Sequence, residues 1–240
     1  MKTLLYTVSD FSQNAEDCIN LLFNGIEKDQ NIDFCVVSNR PSPPGFKYKT
    51  ITVDTPSNYI GYLKYCADIP DADQYLYLDS DILFFGSIDN VFSKDKDLSL
   101  VVEDFPLTNE WFSYHISNKE SIPSNVFGLN AGTFAFKDKK ILSQITEKIN
   151  THFDETNSAR INAMLEQSLF NEFMSEKYNY DWSLTKDLTG IAKLHIPDNC
   201  IYDSKVQIYH FCGWTGNMTS KYARMVNFLK NCSEPLKNPP

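Results

Sequence analysis

The chain has 240 residues, 42% hydrophobic and 14% aromatic, which is ample for one sizeable core and fits one α/β domain. Its formal net charge is −9 with a pI near 4.9. That balance argues against a protein that grips nucleic acid by its phosphates and against a polybasic membrane anchor, since both need clustered lysine and arginine.

Thr3 to Val8 reads as a short apolar strand, and the apolar run of about six residues it belongs to is too short for a signal-peptide core. No stretch approaches the length of a membrane span. Ser9 and Asp10 are turn residues. Asn14 to Glu27 has a helical pattern, with Ala15, Cys18, Leu21, Leu22 and Ile26 on one face. Ile32 to Val37 is a second strand, Pro41 to Gly45 a loop, and Tyr48 to Val53 a third strand. Ser57 can cap a helix to about Ala67. Tyr75 to Leu78 is the strand that runs into Asp79 and Asp81. This order predicts a mostly parallel sheet with helices on both faces, and such sheets bind ligands beyond the carboxyl ends of their strands. Leu98 to Glu103 is a further strand. Asp104 to Ser124 is a long polar and aromatic connection, a candidate lid or binding loop. Then come a strand at Ala131 to Phe136, helices from Asp138 to Asn150 and from Ala163 to about Met174, and late strands at Ile191 to Ile196 and Val206 to Phe211. The last helix starts at Thr219 or Ser220 and runs to about Lys230. Residues 1–231 make up the domain, and 232–240 read as a tail. The six cysteines are scattered without a Cys-x-x-Cys pair, so they read as mostly buried thiols in a reducing, cytoplasmic compartment.

The chemistry is densest at Tyr75-Leu-Tyr-Leu-Asp-Ser-Asp-Ile-Leu-Phe-Phe-Gly86. Aspartate is depleted from strands, and a buried carboxylate is costly unless something neutralises it. Two carboxylates at i and i+2 on a strand end can converge on one cation. Oxygen ligands suit Mg²⁺ or Mn²⁺, which in turn bind phosphate oxygens. Asp-Ser-Asp alone is an ordinary turn signal. Here it lies between two runs that demand burial. Three further pieces follow. Gly128-Leu-Asn-Ala-Gly132 puts small residues and an amide before a strand, as a tight turn also would. Glu166-Gln167-Ser168 opens a helix, where acids are favoured whatever the function. Ile208-Tyr-His-Phe-Cys-Gly213 carries a histidine at a strand end, more often a core residue than a ligand.

In this order the pieces resemble the GT-A nucleotide-sugar glycosyltransferases, and glycosyltransferase family 8 in particular. Tyr77-Leu-Asp-Ser-Asp-Ile-Leu83 is similar to the family's DxD strand, and Leu129-Asn-Ala-Gly-Thr-Phe134 to its Asn-Ala/Ser-Gly segment. Glu166-Gln-Ser-Leu-Phe-Asn171 is similar to its Asp-Gln-x-x-Leu-Asn helix start, and His210-Phe-Cys-Gly213 to its His-x-x-Gly motif. The resemblance implies a single-domain GT-A α/β fold and transfer from a nucleoside-diphosphate sugar, with UDP the expected carrier, to a glycan or other hydroxyl acceptor. A lipid-linked acceptor would bring the enzyme to a membrane surface. The resemblance also implies that Asp79, Asp81 and His210 ligate Mn²⁺ or Mg²⁺, with the imidazole favouring Mn²⁺. It places Asn130, Glu166 and Gln167 near the sugar and its anomeric carbon. Thr7, Ser9, Asp10, Lys64, Ser80, Ala131 and Gly213 would border the nucleotide or its phosphates. It further implies retention of anomeric configuration. Glu103 or Asp104 acting as base would instead give inversion. For Lys64, a solvated helix lysine is the plain alternative. The chain departs from the pattern at Gly216, where the family commonly has lysine, with Lys221 the nearest cation, and at Glu166, which replaces aspartate. Two other readings compete. One is a haloacid dehalogenase-type phosphohydrolase, which also uses Asp-x-Asp after a strand but continues into Gly-Thr. The other is a non-catalytic sugar-binding module.

Overall fold

Strands whose residues are buried on both faces form the centre of the molecule. The structure, a computed structural model, describes residues 1–12, 14–26, 31–54, 60–156, 163–212 and 218–232. Its elements in chain order are β1 (Thr3–Val8), α1 (Ala15–Asn24), β2 (Ile32–Ser38), β3 (Lys49–Thr52), β4 (Gln74–Leu78), β5 (Ile82–Phe84), β6 (Leu98–Pro106), α2 (Glu110–Ser113), β7 (Phe127–Phe136), α3 (Lys140–Thr156), α4 (Ala163–Tyr178), β8 (Lys186–Asp187), β9 (Ala192–Lys193), β10 (Ile208–His210) and α5 (Met218–Asn231), with short 3-10 helices between some of them. The main sheet runs β3-β2-β1-β4-β7-β6-β8, and a small one runs β5-β10-β9. β1 to β4 pair in parallel. β7 enters antiparallel between β4 and β6.

The period of two along each strand divides the core. Leu4, Tyr6 and Val8 of β1 join Tyr75 and Tyr77 of β4 and Phe134 and Phe136 of β7 on one face, under α3 and α4. Leu5, Leu76 and Leu78 face the other side, against Ile19, Leu22 and Phe23 of α1. A third cluster joins Leu83 of β5, Tyr209 of β10 and Phe211 to Met225 and Phe228 of α5. At about 2 kcal/mol per fully buried large side chain, these contacts fix where the helices dock.

Three expectations are corrected. The helix expected from Ser57 to Ala67 is a 3-10 helix over Ile60–Tyr65, and Ser57 lies outside the described residues. Its adjacent residues Lys64 and Tyr65 both reach Glu166. Second, Gly128 to Gly132 do not precede a strand. They lie within β7, at a bulge. Leu100 pairs with Phe134 and Val101 with Asn130, so Ala131, Gly132 and Thr133 have no opposite residue on β6. Small residues inside a strand mark such irregularities. Third, the late strand expected to reach Ile196 ends at Lys193, and His195 takes a left-handed backbone with φ 52°.

Candidate active site

The acid pair lies where two sheets part. β4 makes its last ladder bond when the Asp79 N–H donates to Gly132 O at 2.9 Å. The chain then turns through Ser80 and Asp81 into β5, which pairs antiparallel with β10 so that Ile82 faces His210. The Phe211 N–H donates to Asp81 O at 3.0 Å. Strand pairing therefore brings a histidine from the far end of the chain to the acids. His210 Nε2 lies 3.4 Å from Asp79 Oδ2 and 3.3 Å from Asp81 Oδ1. One ligand atom from each of the three residues falls within 4.8 Å of the others. Asp81 and His210 are buried and Asp79 is partly open. Neither ring nitrogen of His210 has a hydrogen-bond partner. Gly132 closes the cluster, since a Cβ there would come within 2.3 Å of His210 Cε1 and 2.5 Å of Asp79 Oδ2.

Buried carboxylates need counter-charges, and each has one. Lys64 is 3% exposed and reaches Ala131 O at 3.0 Å, Glu166 Oε2 at 3.3 Å and Asp79 Oδ1 at 3.7 Å. It is not the solvated lysine of the plain alternative. The hydroxyls of Tyr65 and Tyr77 donate to Glu166 and Asp79. Lys221 of α5 bonds to Asp81 Oδ2. Burial acts to raise the Asp79 carboxyl, but Lys64 and His210 outweigh it and hold it at about 2. Asp81 is likewise held below its usual range against burial, by Lys221 and His210. Glu166 is shifted upward, because burial outweighs Lys64 and Tyr65 there.

A cavity of about 490 Å³ opens onto this cluster. Its far wall is a chain of polar contacts. Asn130 Nδ2 donates to Glu103 Oε1 at 2.7 Å, while Asn130 Oδ1 accepts from the Gly132 N–H at 3.0 Å. His195 Nε2 lies 3.5 Å from Glu103 Oε2, and its Nδ1 is 3.6 Å from Cys212 Sγ. Hydrogen bonds to Cys212 and Glu103 raise His195 to about 10. Phe105, Trp111 and Phe112 form the apolar side.

The sequence profile of glycosyl transferase family 8 matches residues 15–216. The chain belongs to that family. It is therefore a glycosyltransferase, with a GT-A fold. The fold is similar to that of the galactosyltransferase LgtC in complex with donor and acceptor sugar analogues (16% identity, TM-score 0.55, 98% of each chain covered). An active-site variant of LgtC, glutamine replaced by glutamate, gives 15% identity and a TM-score of 0.54, again over 98% of each chain. The bifunctional glycosyltransferase WbbM in its apo form gives 14% identity and a TM-score of 0.57, covering 99% of this chain and 50% of that one. At such identities the likeness shows the fold alone. A search of curated protein sequences finds no significant match.

In this family 8 glycosyltransferase, Lys64, Asp79, Asp81, Asn130, Glu166, Gln167 and His210 line one cavity. Gln167 Oε1 faces the Ala131 N–H at 3.4 Å. Thr7, Ser9 and Asp10 lie at the end of β1 and, with Ser80 and Ala131, are outside that lining. The Ser9 and Asp10 side chains accept bonds from the Phe11 and Ser12 N–H groups. Gly213 and Gly216 lie outside the described residues. Of the two candidate bases, Glu103 faces the cavity, while Asp104 is exposed and does not. The sequence reading gave no role to His195, Cys212, Tyr65 or Tyr77. Cys212 had a signal in its place beside His210, whereas nothing near His195 in the sequence announced it. Among the described residues, no helix is long and apolar enough to cross a membrane.

Proposed function

We propose that this enzyme transfers a sugar from a nucleoside-diphosphate donor, with uridine as the base, to a glycan or other hydroxyl acceptor, with retention. The observation that carries the reading is the convergence of Asp79, Asp81 and His210 around a point from which no protein group bonds the imidazole. The donor set fits Mn²⁺ ahead of Mg²⁺, and the missing Cβ of Gly132 leaves the ligand atoms accessible to one another. When bound, such an ion neutralises charge on the departing nucleoside diphosphate.

The chain's own residues do the rest. Tyr77 and Lys64 hold Asp79 from behind, so its other oxygen stays turned toward His210. Glu166 fixes Lys64 in turn. Gln167 offers an amide to the sugar from the helix start, and an amide takes no proton. The active-site glutamine named for LgtC supports that role. Glu103, the carboxylate that could serve as a base, is already bonded by Asn130 and faced by His195. With no uncommitted base among the described residues of the cavity, retention is the better-supported outcome. The partnerless, buried Thr7 Oγ1 supports a nucleotide base at the end of β1, beside Ser9 and Asp10. Six free thiols support a reducing, cytoplasmic setting.

Release of UDP from UDP-sugars in the presence of acceptor tests the reading. Chelation should abolish it and Mn²⁺ restore it, and Asp81→Ala and His210→Ala should each lose on the order of 10²-fold or more in kcat/KM. Turnover that survives exhaustive chelation would place the enzyme in a metal-independent class. Proton NMR of fresh product decides the stereochemistry, because a β-linkage from an α-donor refutes retention.

A further inference from the structure

Lys221 stands in an unusual place for a cation. It lies in the first turn of α5, where the helix dipole disfavours positive charge, and it points back into the cavity to bond Asp81 Oδ2. It is not needed to dock the helix, because Met225 and Phe228 pack on Tyr209 and Phe211, burial that far outweighs one ion pair. Its carboxylate partner is one of the three groups that converge with His210 and Asp79. The other cavity lysine, Lys64, is shared among Glu166, Asp79 and a backbone carbonyl. Lys221 has Asp81.

We propose that Lys221 is an internal stand-in for the divalent ion, holding Asp81 while the site is free of metal and pairing with the donor's diphosphate once a metal takes Asp81. This inference rests on the metal and nucleotide reading above. The charge count drives it. A divalent ion on Asp79 and Asp81 satisfies both carboxylates and leaves the Lys221 ammonium with no acid of its own in the cavity wall. A diphosphate brings the charge that it then lacks, and an ammonium is a good point-charge partner for phosphate. The exchange keeps Asp81 from standing as a buried, unpaired carboxylate between turnovers, a strongly disfavoured state. It also makes metal and nucleotide binding mutually supportive, since each relieves a charge that the other leaves exposed.

Lys221→Met separates the two halves of the role. Mn²⁺ binding without nucleotide, followed by the EPR signal of free Mn²⁺, should tighten a few-fold, because the competing ammonium is gone. UDP binding at saturating Mn²⁺, followed by calorimetry, should weaken about tenfold, the equivalent of roughly 1.4 kcal/mol. Lys221→Arg should keep most of the UDP affinity and bind Mn²⁺ no tighter than wild type. A lysine that merely ties α5 down predicts weaker Mn²⁺ binding and no selective loss of UDP, and that pattern overturns the proposal. So does unchanged UDP affinity in Lys221→Met beside a wild type that binds both ligands. A wild-type protein that binds neither Mn²⁺ nor UDP overturns the underlying reading of the site as well.

Discussion

Gly132 is where the backbone and the ligand cluster meet most closely. An added methyl would sit 2.3 Å from the His210 ring and 2.5 Å from Asp79, closer than van der Waals contact allows. The strand is held there by the Asp79 N–H, so the side chains must give way. Gly132→Ala should therefore weaken Mn²⁺ binding by about tenfold or more, in line with the sensitivity of metal sites to displaced ligands, while far-UV circular dichroism stays that of the wild type. Unchanged Mn²⁺ affinity would show that the cluster can shift without losing the ion. His195 makes a pH prediction. Its ordinary value is 6.5, and the Cys212 and Glu103 hydrogen bonds raise it to about 10 in the folded state. A raised folded value means that its stabilising contribution is complete below about 6.5 and is lost as the pH rises through about 10. NMR titration should find this imidazole still protonated at pH 8, and Glu103→Gln should bring its midpoint down. A wild-type midpoint near 6.5 would remove the pair. The acid pair was legible in the sequence because carboxylates between apolar runs demand a partner. Lys221 could be named only as the nearest cation to the missing family lysine and His195 not at all, because a lone lysine or histidine in a polar segment carries no local sign of where tertiary packing will take it.

Between elements, the site depends on how α4 meets β7. The Asn171 side chain reads the strand's backbone in both directions. Its Oδ1 accepts from the Leu129 N–H at 2.7 Å, and its Nδ2 donates to Leu129 O at 2.9 Å and Gln167 O at 2.8 Å. One buried amide thus locks the helix turn bearing Gln167 to the strand bearing Asn130 and Ala131. Asn171→Leu keeps the branched heavy-atom shape but leaves a donor and an acceptor unpaired, at a cost on the order of 2–4 kcal/mol. Denaturant melts should show that loss, and kcat should fall more than KM rises, because donor contacts outside α4 remain. A variant as stable and as active as the wild type would mean that the bulge alone sets the geometry. The apolar strands β1, β2 and β4 and the helix α3 could be read from period and length. The bulge in β7 could not, since Gly, Asn and Ala in sequence look the same in a turn and in an irregular strand. The short strand β5 also escaped notice, because three apolar residues after a turn mark a strand only once β10 arrives to pair with them. The 3-10 helix before β4 could not be told from an α-helix either, and its two contacts to Glu166 join residues about a hundred positions apart, which no local pattern announces.

At the scale of the whole molecule, the net charge of −9 works against any diphosphate donor. Long-range repulsion and the carboxylates of the cavity both oppose an anionic ligand, and among the described residues of the cavity the cations Lys64, Lys221 and protonated His195 oppose them in turn. Donor binding should therefore depend on a divalent ion far more than a neutral site would require. A ligand that binds only the folded state adds about 2.7 kcal/mol at one hundred times its dissociation constant. For a chain of this length each kcal/mol moves Tm by roughly 2–4 °C, so a saturating cognate donor should raise it by roughly 5–10 °C. Thermal scans against a panel of UDP-, GDP- and CDP-sugars, each with and without Mn²⁺, read this directly. The expected pattern is a shift of that size for a UDP-sugar with Mn²⁺ and under about 2 °C for the same sugar in chelator. A full shift in chelator would mean that the protein's own cations suffice and that Asp79, Asp81 and His210 hold no ion for the donor. A full shift with GDP- or CDP-sugars and none with UDP-sugars would keep the metal but reassign the base. No shift with any member of the panel would remove the nucleotide sugar as donor.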